Sequence, residues 1–106
     1  MESKFSVNYS DGVASIELTG RLDANNAPNL QEELKKLIGR DVKRLVFYAK
    51  DLEYISSAGL RTIIFAKQKI GVDAQVYFIG APEAVTSVIK MSGLDNFMVI
   101  QDNYNE

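Results

Sequence analysis

Hydrophobic positions change their period along the chain, and each change marks an element. Phe5, Val7 and Tyr9 alternate with Ser6 and Asn8, Ser10-Asp11-Gly12 supplies turn chemistry, and Ala14, Ile16 and Leu18 share one face of the stretch from Val13 to Thr19. This predicts a β-hairpin. Beyond Gly20 the period becomes helical at Ala27, Leu30, Leu34, Leu37 and Ile38, with Gln31, Glu32, Lys35 and Lys36 on the polar side. Asp23 or Asn25 is expected to cap that helix, and Gly39 to end it. Leu45-Val46-Phe47-Tyr48-Ala49 is an almost unbroken apolar run, as a strand buried on both faces requires. Leu60, Ile63, Ile64 and Lys67 return to helical spacing, widened by Phe65, Ala66 and Ile70. Gln75 to Ile79 then predicts an inner strand. Pro82 and Glu83 suit the first turn of a third helix carrying Val85, Val88 and Ile89, with Gly93 near its end. Phe97 to Ile100 predicts an edge strand, and Gln101 to Glu106 a frayed end. Helices covering a sheet of mixed strands make this an α/β domain.

Composition limits what such a domain does. At 106 residues, 46% apolar and 25% charged, the chain suffices for one core and is too short for two. No run approaches the roughly 20 apolar residues of a membrane span, so no membrane insertion is expected. Met1-Glu2-Ser3-Lys4 has neither the basic opening nor the apolar core of a signal peptide, so a cytoplasmic location is expected. The absence of Cys removes disulfides, thiol nucleophiles and thiolate metal sites, and the absence of His removes the commonest general base and metal ligand. A formal charge of -2 offers no electrostatic reason for direct nucleic-acid binding. Partner proteins are the expected ligands.

The candidate chemistry lies in Tyr54-Ile55-Ser56-Ser57-Ala58-Gly59-Leu60-Arg61, where two hydroxyls stand at the passage from an extended apolar segment to a helix. A serine there accepts a hydrogen bond from an otherwise unpaired amide, and the same amide dipoles favour a phosphate. Ser56 or Ser57 is thus a cap or a switch. Gly59 either allows strand and helix to approach closely or is a tolerated helix-start glycine. Arg61 reads as a solvated helix residue or a partner anchor, Phe65 as core, and Tyr54 and Ile55 as packing for the strand-to-helix loop. Asp23 is a helix cap, a recognition acid, or both.

At Ser56-Ser57-Ala58-Gly59-Leu60, and again at Gly20-Arg21-Leu22-Asp23, the chain resembles the STAS family, in particular the bacterial anti-sigma factor antagonists. The order of predicted strands and helices from about Phe5 to Ile100 agrees. The resemblance implies one STAS-like domain over residues 1–106, with a mixed sheet of four to five strands and about three to four helices. It implies that the unphosphorylated domain binds an anti-sigma factor that is also a serine kinase, thereby freeing a sigma factor. Phosphorylation at Ser57 would abolish that binding, and a serine phosphatase would reset it. ATP and a divalent metal would belong to the kinase, and the domain itself would need no cofactor and catalyse nothing. Asp23, Asn25, Asn26, Ser56, Gly59, Arg61, Thr62 and Phe65 are the partner-binding residues expected around Ser57. Ser56 stands where many members carry Asp, and Tyr48 where many carry another acid near the end of the central strand. Asp51 and Glu53 are the nearby acids.

Three other readings compete. A STAS adaptor that is never phosphorylated, such as a subunit of a lipid-transport assembly, would leave Ser57 as a cap. An enzyme using Ser57 with Lys67 or Lys69 would have its base more than two helical turns from its nucleophile. A small-molecule sensor would bind near the strand ends, yet the chain has no distinctive nucleotide or lipid contacts. A weak homodimer through the edge at Phe97 to Ile100 is also compatible with the pattern.

Overall fold

The computed structural model describes residues 3–104. Five strands form one sheet in chain order: β1 (Lys4–Ser10), β2 (Val13–Leu22), β3 (Arg44–Ile55), β4 (Gln75–Ile79) and β5 (Val99–Gln101). β1 and β2 are antiparallel, and the remaining neighbours are parallel. Their hairpin turns on Asp11 and Gly12, at φ 50° and 83°. Two consecutive positive φ values are what a two-residue turn needs to match the twist of its strands.

Three helices, α1 (Ala27–Lys35), α2 (Ser57–Lys69) and α3 (Glu83–Ser92), make the parallel crossovers. Strands laid down in order by crossovers of one hand place every helix on the same side. Ala14, Ile16, Leu18, Leu45, Phe47, Val76 and Phe78 accordingly share one buried cluster with Leu30 and Leu34 of α1, Ile63 and Ala66 of α2, and Val85 and Ile89 of α3. Phe47 and Phe78, opposite each other in register, sit with ring centroids 6.0 Å apart. The mixed sheet and its helices bear out the expected α/β class. The helices cover only one face, however, and buried Val46 and Ile79 lie outside that cluster. No helix among the described residues is long and apolar enough to cross a membrane.

Several boundaries differ from the sequence reading. β3 does not stop at Ala49 but runs to Ile55, so Tyr54 and Ile55 belong to a strand rather than a loop. The β2–β3 register shifts between Glu17 and Thr19 and again between Gly20 and Arg21. Bulges of this kind break the two-residue alternation, and the buried positions beyond Ala49 become Leu52 and Ile55, three apart. α1 ends at Lys35 and gives way to turns, which leave Leu37 buried and Ile38 half exposed. Pro82 precedes α3 rather than opening it. Leu94–Phe97 is a 3-10 turn, so the edge strand starts at Val99 and Phe97 stays exposed.

The chain end expected to fray from Gln101 makes contacts in its described part. Gln101 lies in β5, and the Tyr104 hydroxyl accepts from Arg44 Nη1 at 2.9 Å. The Tyr104 ring meets Tyr77 and Tyr48 edge-on at 5.1 and 6.4 Å. This contact lays the tail over the uncovered sheet face. Residues 105 and 106 lie outside the described range.

Candidate functional site

The C-terminal ends of β2 and β3 run in parallel and stop side by side, which brings two distant segments together. The Ser56 amide donates to the Leu22 carbonyl at 2.9 Å, so β3 remains tied to β2 up to the residue where α2 begins. Ser56 is extended (φ -97°, ψ 176°), and its hydroxyl accepts from the Gly59 amide at 3.3 Å. That is N-cap geometry. Ser57 is the first helical residue, exposed, and its hydroxyl has no hydrogen-bond partner among the described residues. Of the two adjacent serines, Ser56 therefore caps the helix, and Ser57 offers an Oγ without a hydrogen bond among the described residues.

A stability measurement follows from this division. Ser56→Ala removes the cap and is expected to lose about 1 kcal/mol, lowering the melting temperature by roughly 4–8 °C for a domain near this size. Ser57→Ala removes a hydroxyl that bonds nothing among the described residues and should leave the melt within about 0.5 kcal/mol of the parent. Thermal denaturation followed by circular dichroism reads both. A larger loss at Ser57 than at Ser56 would contradict the assignment.

Gly59 settles against the strands. A Cβ at this position would stand 2.8 Å from Leu22 Cγ, from the Leu22 carbonyl oxygen and from Ile55 Cγ1. The close-approach reading of this glycine therefore holds. It is what lets the first turn of α2 lie directly on the end of β2.

The loop after β2 is tied by reciprocal bonds. Asp23 Oδ1 accepts from the Asn25 amide at 3.0 Å, and Oδ2 is 3.4 Å from Arg21 Nε. The Asp23 amide donates to Asn26 Oδ1 at 2.9 Å, while Asn26 Nδ2 donates to the Arg21 carbonyl at 2.7 Å. Neither Asp23 nor Asn25 is the N-cap of α1. Asn26 holds that position, with no side-chain cap bond, because its amide group is spent on the loop. Of the three polar residues expected here, exposed Asn25 is the one whose side chain is uncommitted among the described residues.

The remaining expected contacts divide by burial. Arg61 is exposed and borders a shallow groove of about 510 Å³ between α1 and α2, with Ala24, Pro28, Gln31 and Lys35 on its other walls. Thr62 is only 3% exposed, and its hydroxyl donates to the Ala58 carbonyl at 3.2 Å. It lines the floor of the same groove with almost none of its surface open, because the helix turns that position inward. Gly59 is buried as well, and Phe65 is partly buried against the core, two turns beyond Ser57. Of the two lysines weighed as a base, Lys67 is engaged elsewhere. Lys67 Nζ donates to the carbonyls of Gly71, Val72 and Ala74 at 2.9, 3.2 and 2.6 Å, closing the far end of α2.

Tyr48, read as standing near the end of the central strand, is in mid-strand because β3 continues to Ile55. Its ring meets Tyr104, so an acid at this position would not adjoin Ser57. Sequence reasoning also missed a pair on the other side of the junction. The Arg21 guanidinium stacks over the Tyr54 ring, 4.2 Å from its centroid, and Tyr54 is 41% exposed. Only the pairing of Arg21 with Tyr54 across β2 and β3 brings these residues together. Neither segment alone carries a signal for it.

The family model described as STAS domain matches residues 4–106. A Bordetella bronchiseptica protein named as an anti-sigma factor antagonist, BtrV, is 32% identical over 91 residues, covering 85% of this chain and 78% of that protein. A crystal structure of an anti-sigma factor antagonist from Mycobacterium paratuberculosis superposes with a TM-score of 0.83 at 22% identity, over 96% of this chain and 87% of that one. SpoIIAA of Bacillus superposes in its unphosphorylated form with a TM-score of 0.79 at 18% identity, over 92% of this chain and 87% of that one. In its phosphorylated form the TM-score is 0.71 at 17% identity, over 92% and 90%.

Proposed function

This chain belongs to the STAS domain family, and from that premise we propose that it is an anti-sigma factor antagonist whose binding is switched off by phosphorylation of Ser57. Its partner is an anti-sigma factor that is also a serine kinase. The observation that carries this reading is the exposed Ser57 hydroxyl, unbonded among the described residues, beside a neighbour that already does the capping. A hydroxyl without a structural bond can be modified at little expense to the fold.

The chemistry needs no group on this chain beyond the acceptor. The kinase supplies ATP and a divalent metal, the Ser57 oxygen takes the γ-phosphoryl group, ADP leaves, and the hydroxyl proton passes to a base of the kinase. The product carries roughly 1.5 to 2 additional negative charges at the helix start. The helix amides tolerate that charge. A partner surface packed against a neutral hydroxyl does not, because it now meets a hydrated anion that must be desolvated. A phosphatase restores the binding form. Asn25 and Arg61 supply exposed side chains for the partner to contact, and the stacked Arg21–Tyr54 pair offers more on the other side of the junction.

The test uses a purified anti-sigma factor kinase captured by the unmodified chain. Incubation with ATP and magnesium, followed by peptide mass spectrometry, is expected to place phosphate on Ser57 and leave Ser56 bare, with loss of the complex. Persistent capture with no phosphate on either serine would favour an adaptor whose serines are structural only.

A further inference from the structure

Arg61 lies one helical turn beyond Ser57 on α2, the i,i+4 relation that brings two side chains onto the same face with Cβ atoms about 5–6 Å apart. Both residues are exposed. Arg61 makes no ion pair among the described residues, and the acid across the groove, Glu32, is held by Lys35 at 2.7 Å. The first turn of α2 contains no acidic residue, and the Ser56 cap satisfies the Gly59 amide alone. The Ser57 and Ala58 amides are left without an intrahelical acceptor. Among the described residues, positive charge on this turn of the helix has no ion-pair partner.

We propose that Arg61 is the positioning residue for a phosphate on Ser57, its planar guanidinium taking two phosphate oxygens and holding the group along α2. The proposal rests on Ser57 as phosphoacceptor, but the chemistry is internal to this chain. Arginine suits the role because its fork matches phosphate geometry in a way that a lysine point charge does not. The pairing gives the switch two components. Before modification Arg61 is open to an acidic group on the partner, and afterwards the phosphate occupies it. Phosphorylation then withdraws a cation from the partner as well as adding an anion.

The experiment installs phosphoserine at position 57 of the full chain during translation, in the parent and in Arg61→Gln and Arg61→Lys variants. The phosphate is then titrated by 31P nuclear magnetic resonance. Free phosphoserine loses its second proton near about pH 6. The parent is expected to titrate lower by about half a unit or more, because a paired guanidinium favours the dianion. Arg61→Gln should lose most of the part of that shift not due to helix amides, and Arg61→Lys should keep an intermediate part. Coincident curves for parent and Arg61→Gln, shifted or not, would overturn the proposal. Arg61 is exposed, so the variants are expected to fold, and circular dichroism checks that they do. Absence of any kinase acting on Ser57 would sink the functional reading while leaving this titration intact, so the two failures are separable.

Discussion

Phosphorylation of Ser57 is expected to weaken binding to the anti-sigma partner by about 100-fold or more, equivalent to roughly 3 kcal/mol, without loosening the domain. The magnitude follows from setting a dianion into a contact made for a hydroxyl. Leaving an uncompensated charge in a protein contact costs several kcal/mol even after relaxation. The domain is spared because Ser57 bonds nothing among the described residues and sits on a helix start that attracts negative charge. Isothermal titration calorimetry at fixed salt should give nearly equal affinities for parent and Ser57→Ala. Ser57→Asp should fall well below both, and the phosphoprotein lower still, because aspartate carries one charge on a shorter arm. Thermal melts of the phosphoprotein should be unchanged or higher. Comparable affinities across all four proteins would remove the switch. Lost affinity accompanied by a collapsed melt would show unfolding instead of partner exclusion.

The largest expected loss of stability comes from filling the space at Gly59. The backbone there needs no glycine on conformational grounds, since its φ is not positive. Helix propensity alone would make Gly59→Ala stabilising by about 0.8–1 kcal/mol. Packing reverses that sign, because the added Cβ would meet the Leu22 carbonyl and the side chains of Leu22 and Ile55 at 2.8 Å. Side chains can turn aside, but the Leu22 carbonyl is fixed by its bond from the Ser56 amide. Overpacking of this kind costs about 1–3 kcal/mol. Gly59→Ala is therefore expected to be net destabilising, and Gly59→Val by about 3 kcal/mol or more, a drop in melting temperature of about 12 °C at least. Urea denaturation with an unchanged m-value measures it. A stabilised alanine variant would mean that α2 does not rest on the end of β2 as described. Because the same contact aligns Ser57 with the loop at Asp23, Gly59→Val should also impair partner binding in whatever fraction remains folded.

Local periodicity made the hairpin, α1, α2 and α3 legible, since each is an amphipathic segment whose apolar residues recur at the spacing of its own geometry, and β4 was legible as a short apolar run. The resemblance at Ser56 to Leu60 identified the junction and its family. What the pattern could not carry was anything set by register between distant strands. The second half of β3 was hidden because bulges against β2 replace alternation with a spacing of three at Leu52 and Ile55. Nothing local marks the contacts of Tyr104, because its partners, Arg44, Tyr48 and Tyr77, are far away in sequence.

The same distinction separates the site residues. Residue type and order determined that a serine would start α2 and that an arginine would follow one turn later. Tertiary structure decided which serine caps, since the Ser56 amide is claimed by Leu22 and its extended backbone turns the hydroxyl onto Gly59. It also decided that Thr62 faces inward, that Asp23 and Asn26 are engaged in their own loop, and that Arg21 lies on Tyr54. A helical period states which residues share a face, but what that face meets is set by the strands beneath it.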